Sequence, residues 1–386
     1  MSAPGTLVPF APGRPQLLLG GRAIPVVLPS RRDPRFKLSA VIVTLHVLGQ
    51  TVLGFKVSIA QILITIGVGA LLELVVTFRR QHELVWPASG ILTGSGVAFV
   101  LRASGTDNGD WWSLNGIGFF ILAVVLALGS KYLIRPGGRH LFNPSNVGLV
   151  WTLLVIGPNQ VFPQYLWWGP NNVGVALAYG VILVGGLWIL PKVRMEPMVV
   201  AFMVTFGALI AVFALGGQSF IAIWHDGPIS GLSYWLNVAV SPEVLVFVFF
   251  MMSDPQTAPK TPDGRIVYGI ATAVVAAGLT YFQPTEFGIK LAILSSLVVV
   301  CAFVPFIDKG LERLGQREAD DIARPSAPQP VALRPTFSGL AAAVRNPMIA
   351  AALVVALAAP LNTAALAGNE QVLLIERGLT GEANAQ

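Results

Sequence analysis

Two short strings in this chain repeat one order of residue types. Phe142-Asn143-Pro144-Ser145-Asn146-Val147-Gly148 and Phe282-Gln283-Pro284-Thr285-Glu286-Phe287-Gly288 both read Phe, amide, Pro, hydroxyl, polar, apolar, Gly. An amide side chain caps a helix, and Pro at the first helical position gives up only an N–H that has no intrahelical partner anyway. Ser145, Asn146, Thr285 and Glu286 then stand beside free backbone N–H groups, where an anionic or carbonyl-rich ligand is favoured. One copy would read most simply as an ordinary Pro-initiated helix start; two copies at matching places argue for a site. A third polar stretch, Ser253-Asp254-Pro255-Gln256-Thr257-Ala258-Pro259-Lys260-Thr261-Pro262-Asp263-Gly264-Arg265, carries three prolines. It reads as a rigid, shaped loop presenting Asp254, Thr257, Lys260 and Arg265, or as a solvated turn.

Other chemistries are excluded by what the chain lacks. Cys301 is the single cysteine, so no disulfide forms within the chain and no cysteine-held iron–sulfur cluster or zinc site is available. Within an apolar run it reads as a small buried residue. His46, His82, His140 and His225 show no metal-ligand spacing, and no catalytic residue can be assigned.

The elements that must position these residues lie in lipid. Of 386 residues 54% are hydrophobic and 11% charged, with mean hydropathy +0.70; a soluble domain carries roughly 25% charged residues. The net charge of +6 does not point to nucleic acid, because Lys and Arg form short clusters between apolar runs and no basic face or aromatic motif accompanies them. Residues 1–36 are rich in Pro, Gly and Arg and do not read as a cleaved signal. Apolar segments are expected at 37–54, 57–78, 86–101, 115–133, 142–156, 173–190, 197–215, 233–252, 266–282 and 286–306. Several are shorter than the roughly 20 residues a plain span needs, and 233–252 is interrupted by Pro242, which marks broken helices. With the N-terminus placed in the cytoplasm, 21 of the 25 Lys and Arg fall inside; Lys56, Arg102, Lys290 and Arg377 are the exceptions. Six of the nine tryptophans (Trp111, Trp112, Trp167, Trp168, Trp224, Trp235) sit near the opposite ends, as an interfacial belt would.

The expected fold is therefore an all-α polytopic membrane protein of about ten transmembrane helices. The repeated strings open the fifth and tenth segments, and each is preceded by a full helix and by a Pro-opened segment near Pro87 or Pro242. That makes two units of five, 37–156 and 173–306; five is odd, so the second is inverted. Residues 307–346 read as a flexible cytoplasmic segment, and 347–386 as an apolar C-terminal segment whose topology the sequence leaves open. His46, Glu73 and Glu243 are ionisable groups within segments and hence functional candidates. His46 and Glu73 read equally well as a pair joining two helices, and Glu243 as a first-turn carboxylate favoured by the dipole. His225 and Asp226 read as surface residues.

Gly137-Gly138-Arg139-His140-Leu141-Phe142-Asn143-Pro144-Ser145-Asn146, the 253–265 loop and Trp86-Pro87-Ala88-Ser89-Gly90-Ile91-Leu92-Thr93-Gly94-Ser95-Gly96-Val97-Ala98-Phe99 resemble the membrane flavin subunits of two electron-transport complexes. These are NqrB of the sodium-translocating NADH:quinone reductase and RnfD of the Rnf complex, with UnbU-type relatives of enediyne biosynthesis clusters looking closer still. The resemblance covers roughly residues 36–306. It implies a ten-helix inverted repeat that binds flavin (FMN or riboflavin) and passes electrons within a bacterial inner membrane, alongside other subunits of a redox or biosynthetic complex. The family attaches FMN through the threonine of a Ser-Gly-Ala-Thr motif; this chain has only Thr93-Gly94-Ser95-Gly96 and Ile229-Ser230-Gly231-Leu232-Ser233. Non-covalent flavin is therefore the expectation. On that reading Asn143, Ser145, Asn146, Gln283, Thr285 and Glu286 face the flavin, and Lys260 and Arg265 hold a phosphate. A transporter or channel for a small polar solute or ion, and a structural membrane partner with a vestigial flavin site, are the competing readings.

Overall fold

A computed structural model describes residues 7–10, 14–19, 22–30, 33–169 and 172–313. Three strands, β1 (Leu7–Phe10), β2 (Arg14–Leu19) and β3 (Arg22–Val27), lead into helices α1 (Arg35–Thr51) and α2 (Ile59–Gln81). After β4 (Leu84–Val85) come α3 (Ala88–Val100), β5 (Leu101–Ala103), α4 (Ile117–Leu133), α5 (Pro144–Ile156) and β6 (Val161–Pro163). The second half holds α6 (Val173–Val193), α7 (Glu196–Leu215), β7 (Ser219–Phe220), β8 (Ile229–Ser230) and α8 (Gly231–Ala239). It closes with α9 (Pro242–Val246), which runs into a π-helical turn over Phe247–Met252, then α10 (Pro262–Tyr281) and α11 (Glu286–Arg313). The protein is a polytopic, mostly helical membrane protein. Among the described residues six helical stretches are long and apolar enough to cross a membrane, counting Gly231–Met252 as one, and α3, α4 and α5 are shorter apolar helices.

The helix starts follow the side chains. Ser58 and Gln61 form a reciprocal capping box on α2 (Ser58 Oγ accepts from Gln61 N–H at 2.9 Å, Gln61 Oε1 from Ser58 N–H at 2.7 Å). Asn143 caps α5 by accepting from Asn146 N–H at 3.1 Å, Thr261 caps α10 by accepting from Gly264 N–H at 3.1 Å, and Thr285 caps α11 by accepting from Gly288 N–H at 3.2 Å. Proline stands at the first turn of α5, α9 and α10, where it removes no helical hydrogen bond.

Corresponding helices of the two halves run in opposite directions. In the first, α2 and α4 run parallel, with Gln61 beside Asn115 near their starts and Glu73 beside Lys131 further along. In the second, α7 and α10 run parallel, Arg194 meeting Arg265 at one end and Phe213 meeting Tyr281 at the other. Equivalent helices pack on each other antiparallel. Lys37 lies over Trp188 between α1 and α6, while Val52, just past α1, faces Gly174 at the start of α6. Asn146 Nδ2 donates to Leu294 O at 2.8 Å between α5 and α11, whereas Phe162, beyond α5, meets Phe287 near the start of α11. Pro144 and Pro284 therefore start their helices from opposite faces. The face on which α3 and α5 start is called here the first face, and that on which α9 and α11 start the second.

Four points of the sequence reading change. Residues 7–10, 14–19 and 22–27 form strands, and β1-β2-β3-β4 make one small sheet; runs of six residues or fewer, broken by Pro9, Pro15 and Pro25, give too little alternation to be read. The last helix continues to Arg313, through the boundary expected at 306. Most of 307–346 and all of 347–386 lie outside the described residues. Arg102 and Lys290 are not loop charges: both are buried among protein. His46 and Glu73 do not pair; His46 Nε2 lies 3.2 Å from Ser95 Oγ, and Glu73 binds Lys131.

α2 and α3 touch backbone to backbone. A Cβ on either Gly69 or Gly90 would run into the carbonyl oxygen of the other, and one on Gly94 would lie 2.5 Å from Thr65 O. Close approach of this kind is what small residues provide between membrane helices. Gly69→Leu is expected to abolish a monodisperse detergent-purified protein or lower its thermal midpoint by several degrees. Gly67→Leu, two residues away on an open face, should leave both within error. Size-exclusion profiles and melting curves of the two variants check this.

Candidate functional site

On the first face the helix starts surround a cavity of about 370 Å³. Its inner wall is apolar, formed by Leu45, Leu92, Phe99, Phe249 and Phe250. Its outer end is ionic, with Glu73, Arg80, Lys131, Arg135, His140 and Asp254. Asn143 and Ser145 of the first repeated string lie on its lining.

Each of these side chains is placed by a backbone need. Pro87 precedes α3 and offers no side-chain cap. Glu73 of α2 supplies the missing acceptor: its Oε2 accepts from Gly90 N–H at 2.5 Å, and its Oε1 accepts from Lys131 Nζ at 2.6 Å and Tyr132 O–H at 3.1 Å. Lys131 also donates to Ser89 Oγ at 2.7 Å. At the start of α5, Asn143 Oδ1 accepts from Asn146 N–H and, at 2.9 Å, from Ser145 O–H. Its Nδ2 donates to Met251 O at 3.2 Å, a carbonyl in the π turn, so the odd helical geometry of 247–252 is tied to the repeated string. Arg139 fixes the 253–265 loop, its guanidinium donating to Pro255 O at 3.1 Å, Gln256 O at 2.7 Å and Ala258 O at 3.0 Å. Burial pushes the Asp254 carboxyl up. The His140 contact at 3.5 Å, Gln256 N–H at 2.9 Å and the nearby Arg139 charge outweigh that and hold it below its usual range. Arg135 is shifted down by burial and by the charge of Arg80.

The equivalent place on the second face is filled by the protein itself. Glu243, in the first turn of α9, forms a fully buried ion pair with Lys290 of α11 and accepts from Trp168 Nε1–H at 2.9 Å. Glu286 accepts from Leu166 N–H at 2.6 Å and Trp224 Nε1–H at 2.8 Å. Leu166 O in turn accepts from Glu243 N–H at 3.4 Å, so one residue of the stretch after β6 serves the starts of both α9 and α11. Arg102 donates to Pro163 O at 3.1 Å and Tyr165 Oη at 3.2 Å and lies over the Tyr165 ring, which holds β5 against β6.

The candidate residues thus separate. Asn143, Ser145, Asp254 and Glu73 meet at the cavity. Asn146 joins α5 to α11 instead, and His46 joins α1 to α3. Gln283, whose Nε2 donates to Leu279 O at 3.2 Å, sits with Thr285, Glu286 and Glu243 on the second face. Thr257 O–H donates to Asp254 O at 3.3 Å within its own loop. Lys260 is exposed, and Arg265 spends its guanidinium on the carbonyls of Pro259, Lys260 and Arg194. Neither lines the cavity. In the sequence Arg80, Lys131, Tyr132 and Arg135 look like no more than orienting charges or helix residues. Lys131 and Tyr132 are adjacent in sequence yet both reach Glu73, 58 and 59 positions away, a pairing that no local pattern discloses.

Residues 163–314 match the model of the NQR2, RnfD, RnfE family. Over that stretch the chain is similar to this family. Over 237 residues it is also 27% identical to the D subunit of the ion-translocating oxidoreductase complex of Shewanella denitrificans, an alignment covering 59% of this chain and 63% of that relative, less than two thirds of its length. The family match takes in the buried Glu243–Lys290 pair and the 253–265 loop, and leaves α2 to α5, which build most of the cavity, outside it.

A buried pair is destabilised far more by losing one partner than by losing both. Glu243→Ala, leaving Lys290 uncompensated, is expected to cost about 3–5 kcal/mol. Replacing both, with Glu243→Gln and Lys290→Met, should recover most of it. Thermal melts of the single and double variants measure the difference; equal losses would mean that the pair is not coupled.

Proposed function

We propose that this protein is a membrane subunit of an ion-translocating oxidoreductase complex that binds flavin non-covalently in the first-face cavity and works with other subunits in electron transfer. The observation that carries the reading is the cavity itself, in which an apolar, aromatic-walled end adjoins an ionic end next to the start of α5. A flavin has that division, with a flat apolar ring bearing a polar edge and a hydroxylated chain. The volume of about 370 Å³ lies within the roughly 300–1,000 Å³ of small-ligand sites.

The residues fit such a guest. Arg135 Nε is buried with no hydrogen-bond partner. A Cβ on Gly96 would press on Ser145 at 3.3 Å, so the lining is kept open by the absence of a side chain. Leu92, Phe99 and Phe249 would bound the ring, and Ser145, Ser89 and Lys131 would meet its polar edge. Flavin when bound supplies one- and two-electron transfer. The protein's own share is to orient the guest, keep water from the apolar end and hold charge nearby. The Ser230–Ser233 stretch lies on the second face, away from this cavity, because β8 pairs with β7 and Ile221 bridges Thr285. Non-covalent binding in the cavity is consistent with that placement.

We place the first face in the cytoplasm of a bacterial inner membrane. The burial of Arg102 and Lys290 removes two of the four exceptions to the inside bias of Lys and Arg.

The protein purified in neutral detergent is expected to show flavin absorption that passes to the supernatant on acid precipitation. Leu92→Trp, which fills the cavity, should cut flavin content at least fivefold, while Gln283→Ala on the other face should leave it unchanged. A colourless protein with no affinity for added flavin would remove the reading, and flavin kept in the acid pellet would refute non-covalent attachment.

A further inference from the structure

Two lysines meet over one tryptophan where α1 of the first half packs on α6 of the second. Lys37 lies in the first turn of α1 and Lys192 in the last turn of α6, both on the first face, where Arg35 and Val193 line the cavity. Trp188, one turn before Lys192, is exposed, and Lys37 Nζ lies 4.3 Å and Lys192 Nζ 6.0 Å from the centroid of its ring. The two ammonium groups are near enough to act on each other directly. Lys192 suits the negative end of a helix dipole, but Lys37 sits at a positive end, where a cation is disfavoured, and α1 has no acidic residue in its first turn. Arg35, two residues earlier, is neutralised by Asp33. Among the described residues neither lysine has such a partner. The indole face eases the charge in part, and two like charges held around it still call for an anion. Toward the membrane centre, Ala40 and Val184 are exposed and Gly185 packs on Val41, which leaves an apolar strip beside the ring.

From this placement we infer that Lys37, Trp188 and Lys192 form a seat for one anionic phospholipid, its phosphodiester between the two ammonium groups and an acyl chain along Ala40 and Val184. Each ammonium offers three N–H donors to phosphate oxygens and acts as a point charge, so two of them suit a compact singly charged group. An indole at the headgroup level is where tryptophan is favoured. A free anion would match the lysines but leave the exposed apolar strip bare, whereas a lipid covers both. Leu38 and Ile42 of α1 and Ile189 and Val193 of α6 line the cavity on the inner side of this contact. A lipid that joins Lys37 to Lys192 therefore ties the two halves together along one wall of the cavity, whatever the cavity holds.

The test uses the full chain stripped of lipid in neutral detergent. Dioleoyl phosphatidylglycerol, dioleoyl phosphatidylcholine or inorganic phosphate is added, bound lipid is counted by native mass spectrometry, and the thermal midpoint is followed. Phosphatidylglycerol is expected to be retained about fivefold or more better than phosphatidylcholine and to raise the midpoint by several degrees, with phosphate doing neither. Lys37→Gln and Lys192→Gln should each lower phosphatidylglycerol retention about fivefold, the share of one lysine at an anionic headgroup. Arg79→Gln, which removes an exposed cation of α2 away from this contact, should leave retention unchanged. Equal retention of the two lipids by the unaltered protein overturns the inference, even if neither lysine variant can be purified. An equal loss with Arg79→Gln means that only the diffuse positive charge of this face attracts lipid, and a midpoint raised as much by phosphate means a free-anion site; either result also overturns it.

Discussion

Backbone N–H groups at a helix start have no intrahelical partner, and in lipid no water replaces one. This protein starts four helices in its interior, α3 and α5 from one face, α9 and α11 from the other, and the rest of the structure is arranged around that requirement. On the second face the need is met from within. Glu243, Glu286, Trp168, Trp224 and the backbone of Leu166 close a network in which each charged group has a partner. On the first face Glu73 and Asn143 meet only the nearest N–H groups, and the remainder opens onto a cavity. Helices that run in opposite directions in the two halves thus differ in chemistry: the second-face starts are closed by protein groups and the first-face starts open onto the cavity.

That asymmetry gives the two copies of the repeated string different work. Asn143 and Ser145 line the open site, whereas Thr285 and Glu286 lock the second half together. The polar loop at 253–261 belongs in sequence to the second repeat but is held at the first face by Arg139. The cavity is accordingly built from both halves, with the π turn of Phe247–Met252 supplying part of its aromatic wall. The apolar end and the ionic end come from different helices, so a guest that spans them would bridge the repeats.

Much of this was legible in the sequence. The polytopic helical character, the break at Pro242 and the start of α5 at Pro144 follow from hydropathy and proline placement, which report backbone needs directly. The inverted pairing followed from an odd number of segments between two matching strings. What could not be read was partnership. Lys290 and Arg102 look like interfacial charges because their partners, Glu243 and the carbonyl of Pro163, are far away in sequence. Arg265 looks like a free cation in a loop, yet three carbonyls consume it. The short strands at 7–27 pair mainly with one another and with Leu84–Val85, contacts that leave no periodic trace.

The central claim is that the two half-helix sites face opposite sides and that only one is open. Single cysteines at Ser145 and Thr285, each in a Cys301→Ser background and probed in sealed vesicles of known orientation with a membrane-impermeant maleimide, test it directly. Ser145→Cys should label from one side only and be protected by added FMN, and Thr285→Cys should label slowly from either side. Labelling of both from the same side, or Thr285→Cys reacting as fast as Ser145→Cys, would contradict the account.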